Sequence, residues 1–139
     1  MKKYLLLLFF LVNKTSFSQN ICGTYSTFTI MTGEVLELKS DSTFLFFTYD
    51  CYGRVYSTGK WKQTKKIIML NSFSTEKMIQ VLADEKRNGR TKVIFNRVCK
   101  VKNKKVKLYN ESKTNSTKLY HDDSRTAKKW ARQRVKVKF

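Results

Sequence analysis

The feature that most restricts what this chain can fold into is a series of short runs in which apolar and polar residues alternate. They repeat at close intervals between Thr24 and Tyr120. A strand turns successive side chains to opposite faces, so each run has one face to bury and one to leave wet. Such runs cover residues 24–31, 34–39, 43–49, 54–62, 66–70, 78–83, 90–98, 101–109 and 116–120. In the second, Leu36 and Leu38 face inward and Glu37 and Lys39 outward. In the third, Phe44 and Phe46 share one face, and Leu45, Phe47 and Tyr49 the other. In the fourth, Val55, Ser57, Gly59 and Trp61 fall together.

Polar turn signals separate the runs: Thr32-Gly33, Ser40-Asp41-Ser42, Asp50-Cys51-Tyr52-Gly53, Gln63-Thr64-Lys65 and the segment "NESKTNS". Asn88-Gly89 reads as a hairpin turn between the strands before and after it, because both residues tolerate positive φ. The connections leave no room for the helical crossovers that parallel strands need, so the sheet is expected to be antiparallel. About eight such strands suffice to close an up-and-down barrel, which leaves no exposed edge. A β-sandwich of two sheets is the alternative all-β arrangement. The absence of proline and the density of Thr, Val, Ile, Phe and Tyr agree with strands.

Ahead of these runs stands "MKKYLLLLFFLVNKTSFSQ". Lys2 and Lys3 precede an unbroken apolar run over residues 4–12, too short for a bilayer span of roughly 20 residues. It fits the apolar core of a secretory signal peptide, with Ser16 and Ser18 as a small-x-small cleavage site. Residues 1–18 are therefore expected to be a signal peptide and residues 19–139 a single exported domain, periplasmic or extracellular. Cys22 is not placed as a lipoprotein cysteine, since Ile21 and Gln19 occupy the positions where small and Leu-like residues belong. Export permits disulfides. The three cysteines, Cys22, Cys51 and Cys99, allow one bond, with Cys51–Cys99 or Cys22–Cys99 favoured, or else three small buried hydrophobes.

Charge divides the chain. It carries 29 Lys and Arg against 10 Asp and Glu, a formal net charge of +19. Residues 19–83 hold seven basic against five acidic residues, whereas residues 84–139 hold nineteen against five. A field of that sign attracts anionic lipid, glycan or nucleic acid. Lys100, Lys102, Lys104, Lys105 and Lys107 alternate with apolar residues. Lys128, Lys129, Arg132 and Arg134 belong to a basic tail over residues 121–139, expected to form a short C-terminal helix after a cap at Asp123 or Ser124, then a terminal strand. These lysines and arginines are the expected surface for an anionic partner. Export makes nucleic acid the least fitting of the three.

Gly23-Thr24-Tyr25 at the first strand resembles the Gly-x-Trp opening of lipocalins, with Tyr25 where Trp is usual. "GEVLELKSDSTFLF" followed by "STGKWKQTKKIIMLNS" is similar to the small lipocalin-like domains of exported bacterial proteins, over residues 23–72. The resemblance implies a β-barrel that binds something, with no catalytic residues to carry over. Phe44, Phe46 and Trp61 are then the expected lining for a small hydrophobic ligand, or else ordinary core.

Catalytic patterns are sparse. The single histidine, His121, precedes Asp122 and Asp123, and neighbouring residues of a strand diverge. It reads as a solvated loop before a helix cap. No nucleophile elbow, phosphate loop or zinc-helix motif occurs. The expectation is a binding protein that needs no cofactor or metal and is not an enzyme.

Overall fold

The alternation folds into a ring. The computed structural model describes residues 21–94, 96–102, 104–110, 113–125 and 129. Within them run β1 (Gly23–Phe28), β2 (Gly33–Leu38), β3 (Thr43–Asp50), β4 (Gly53–Thr64), β5 (Ile67–Ser72), α1 (Thr75–Asp84), β6 (Arg90–Thr91), β7 (Arg97–Lys102), β8 (Lys105–Tyr109) and β9 (Ser116–His121). The sheet order is β3-β2-β1-β9-β8-β7-β5-β4-β6, and β3 also pairs with β4. Eight strands therefore form a closed antiparallel barrel, with β6 as a two-residue addition parallel to β4. Closure rules out the open sandwich.

The inward faces match the alternation. Leu36, Leu38, Phe44, Phe46, Trp61, Ile68 and Leu70 are buried in one core cluster together with Tyr25 from β1 and Cys99, Leu108 and Leu119 from the later strands. Gly59 lies between Ser57 and Trp61 on that face, and a Cβ there would stand 2.0 Å from the Asn71 carbonyl oxygen. Only a residue without a side chain lets β4 and β5 approach so closely.

Two expectations are corrected. Residues 78–83 form no strand: they belong to α1. The Ser74 side chain accepts a hydrogen bond from Lys77 N–H and caps the helix, and Met78 and Leu82, four apart, are both buried. A six-residue apolar run can satisfy either periodicity. The helix wins here because the outer face of β3 and β4 already presents Leu45, Tyr56 and Phe47, and Leu82 covers them. Second, Asn88-Gly89 is no hairpin turn. It leads from the helix to β6, where Arg90 pairs with Val55 and Thr91 with Tyr56 in parallel register. Gly89 is needed for proximity, since a Cβ there would sit 2.6 Å from the Tyr56 ring.

Smaller differences follow from turns. The expected run over 90–98 breaks after Thr91, and Ile94 then exchanges hydrogen bonds with the Ser72 backbone and hydroxyl. The run over 101–109 is divided between β7 and β8, with Lys104 at φ 61° in the connection. The expected signal peptide lies outside the described residues, as do the expected C-terminal helix and strand apart from Arg125 and Lys129. Among the described residues no helix is long and apolar enough to cross a membrane.

Replacing Gly59 by Ala is expected to lower stability by roughly 3 kcal/mol, the upper end for overpacking a closely packed site. Urea unfolding monitored by Trp fluorescence measures this, and an unchanged midpoint would contradict the close approach of β4 and β5.

Candidate anion-binding surface

Register, more than composition, makes a surface out of the lysines. On β7, Val101 and Cys99 turn inward, so Lys100 and Lys102 turn outward and are exposed. On β8, Val106 and Leu108 are buried and Lys105 and Lys107 exposed. On β9, Leu119 is buried and Lys118 exposed. The pairing then aligns them: Lys100 lies opposite Lys107, and Lys107 opposite Lys118. One row of three lysines crosses three adjacent strands at a spacing of roughly 4.8 Å. A second row sets Lys102 opposite Lys105 and Lys105 opposite Tyr120. The three strand sequences contain no carboxylate.

Like charges directly opposite one another on a sheet are destabilising. Aromatic rings relieve part of this. Lys100 Nζ lies 5.5 Å from the Tyr109 ring centroid and Lys105 Nζ 5.4 Å from that of Tyr120, which draws two ammonium groups onto π-faces. At the flank, Ile67 pairs with Lys100 and Met69 with Val98. Both are partly exposed, at 39% and 37%. Lys62, opposite Met69, extends the basic edge onto β4. The face is thus cationic with an apolar margin.

Of the residues expected from sequence to form this surface, the structure brings Lys100, Lys102, Lys105 and Lys107 together. Lys104 stands apart in the β7–β8 turn, its Nζ 2.8 Å from Asp123 Oδ2 in an ion pair. Lys129 is exposed, and Lys128, Arg132 and Arg134 lie outside the described residues. Lys118 and Lys62 were missed. The alternation of Lys118 with Leu119 was visible in "STKLYH", but its alignment with Lys107 depends on pairing that no local pattern encodes.

Phe44, Phe46 and Trp61 are placed inside the main core at 0%, 4% and 6% exposure. Trp61 Nε1 donates to the Lys39 carbonyl at 3.1 Å, and the Arg97 guanidinium carbon sits 4.9 Å from the Phe46 ring centroid. The cysteines form no disulfide: Cys51 is exposed in the β3–β4 turn, while Cys99 is fully buried on the inner face of β7. A bond between those two would require one of them to cross the barrel wall. Cys22 is half-buried next to the core.

His121, Asp122 and Asp123 do come together with other residues, in a structural arrangement. His121 Nδ1 hydrogen-bonds Asp123 Oδ1, and its ring meets Tyr25 edge-on at 5.0 Å. Ser26 Oγ donates to Asp122 Oδ1 at 2.7 Å. The Lys104 ammonium, with help from His121, holds the Asp123 carboxyl below the usual range. Tyr25 donates its hydroxyl to the Ile21 carbonyl at 2.7 Å. Burial, then the nearby Cys22 and Asp123, push its pKa up to about 12. Burial likewise pushes the Cys99 thiol up to about 12. Among the described residues no group of three or more His, Cys, Asp and Glu side chains is placed to hold a metal ion.

Two measurements test these placements. Lys107→Glu is expected to stabilise the fold at low salt by about 0.5–1 kcal/mol and to flatten the rise of Tm with added NaCl, since it breaks the lysine row. A variant less stable than the parent at low salt would contradict the alignment. For Tyr25, the folded chain keeps its phenol proton to about pH 12 whereas an unperturbed tyrosine releases it near 10.0. Its contribution is full below pH 10 and is lost as the pH rises to about 12. Tyr25→Phe is expected to shallow the alkaline fall in stability over that window, leaving the share due to Cys99, as followed by denaturant titrations at fixed pH. Comparison of the chain with models of known protein families, with characterised proteins and with solved structures gives no match.

Proposed function

We propose that this is an exported, non-catalytic binding protein of lipocalin-like type whose β7–β8–β9 face docks on the anionic headgroups of a lipid surface of the cell envelope. The aligned row Lys100–Lys107–Lys118 carries the reading. Its mutual repulsion is relieved when phosphate groups stand opposite, and each lysine near an anionic bilayer contributes about 1 kcal/mol. The apolar margin of Ile67 and Met69 suits the boundary between headgroups and acyl chains better than it suits a fully hydrated glycan. Nucleic acid is less well served, because single-strand binders offer bare aromatic faces for stacking. Here Tyr109 and Tyr120 are capped by lysines.

Flotation with vesicles gives the test. Vesicles of phosphatidylglycerol mixed with phosphatidylcholine are expected to carry the protein at low salt, and pure phosphatidylcholine vesicles are not. Raising NaCl through the range where the Debye length shrinks below about 8 Å should release it. The double variant Lys100→Glu, Lys107→Glu should weaken binding at least tenfold, as the loss of two favourable charges predicts. Binding that persists unweakened at high salt, or equal binding to a sulfated polysaccharide and no vesicle, would overturn the lipid reading.

A further inference from the structure

Inside the barrel, at the end where β1 and β3 finish, the inward row is polar. Thr27 lies opposite Glu34, Glu34 opposite Thr48, and Thr48 opposite Val55. Glu34 shares its face with Leu36 and Leu38, which are buried in the core, so its side chain turns to the interior. Its Oε2 is shielded from solvent and has no hydrogen-bond partner. A buried acceptor left unmet is costly, so such an atom marks a place for a donor. Thr27, Thr48 and Val55 are only partly buried, so the row stands at the barrel mouth.

The next row down is apolar: Tyr25, Leu36 and Phe46, followed by Ser57. The Arg97 guanidinium lies over Phe46, with Nε donating to the Tyr109 carbonyl at 2.9 Å. A positive group in the floor discourages a ligand that is cationic at both ends.

The rim is apolar. β1 and β3 both run antiparallel to β2, so the turns that follow them open at this same end. Ile30 and Met31 project from one at 96% and 67% exposure, and Tyr52 from the other at 88%. Hydrogen bonds between Thr29 and Thr32 close the first turn tightly, the Thr29 amide donating to the Thr32 carbonyl at 2.7 Å and the two hydroxyls lying 2.8 Å apart, so that Ile30 and Met31 are held at its tip.

We infer that the barrel mouth binds an amphiphilic monoamine, its ammonium group donating to Glu34 Oε2 beside the Thr27 and Thr48 hydroxyls and its apolar body lying on Ile30, Met31 and Tyr52. The site is on the inside of the barrel and independent of the outer lysine face, so either can fail without the other.

Calorimetric titration of the full chain with n-octylammonium, n-butylammonium and n-octanoate tests this. Octylammonium is expected to bind more tightly than butylammonium, and octanoate not to bind. Glu34→Gln should weaken octylammonium at least tenfold, the worth of a charge-assisted hydrogen bond. The double variant Ile30→Ser, Met31→Ser is confined to an exposed turn and leaves the core untouched. It should reduce octylammonium to the affinity of butylammonium. Absence of amine binding, octanoate binding as well as octylammonium, or a well-folded Glu34→Gln with unchanged affinity would overturn the inference and leave Glu34 Oε2 to ordered water.

Discussion

Everything in this barrel depends on the seam where β9 meets β1. Backbone register there covers only Tyr25 with His121 and Ser26 with Tyr120. The Asp122 amide adds a backbone hydrogen bond to the Thr24 carbonyl at 3.0 Å, and side chains complete the joining. Asp122 accepts from Ser26, the His121 ring stands against Tyr25, and Asp123 links His121 to Lys104 of the β7–β8 turn. Were this seam open, β1 and β9 would present unpaired edges to other chains. The cluster of ionisable groups that most resembles a catalytic centre is therefore explained as a latch, with an ion pair at its exposed end and a buried tyrosine at its core.

Closure assigns every strand an inside and an outside, and the two halves of the ring use their outsides differently. Over β3 and β4 the outer face carries Leu45, Phe47 and Tyr56, and helix α1 covers it through Leu82. Over β7, β8 and β9 the outer face carries lysines and remains exposed. An amphipathic strand needs polar residues outside, but it does not need the same charge on three neighbours in line. Lysine alternated with glutamate would solvate the sheet equally well. The arrangement sacrifices a little stability for a surface of one sign.

The interior is similarly divided. Apolar side chains fill the middle, with Arg97 over the Phe46 ring, and at one end Glu34, Thr27 and Thr48 replace the apolar pattern. A carboxylate at an inward position breaks the rule by which the rest of β2 folds. Departures of that kind concentrate at functional places, because nothing in the fold itself gains from them.

By itself the amino-acid sequence determined the strand class and the faces of β2, β3 and β4, because period-two patterning is local and solvent alone decides which face is buried. It also determined that the later half would be strongly basic. Only tertiary structure decided that residues 78–83 coil into α1, since a short apolar run satisfies both periods and the exposed face of Leu45 and Tyr56 tipped the choice. Only tertiary structure aligned Lys118 with Lys107 and Lys100, separated Cys51 from Cys99 by the barrel wall, and drew His121 and Asp123 into the seam. Register between strands distant in sequence is set by closure of the whole ring. No window of neighbouring residues contains that information.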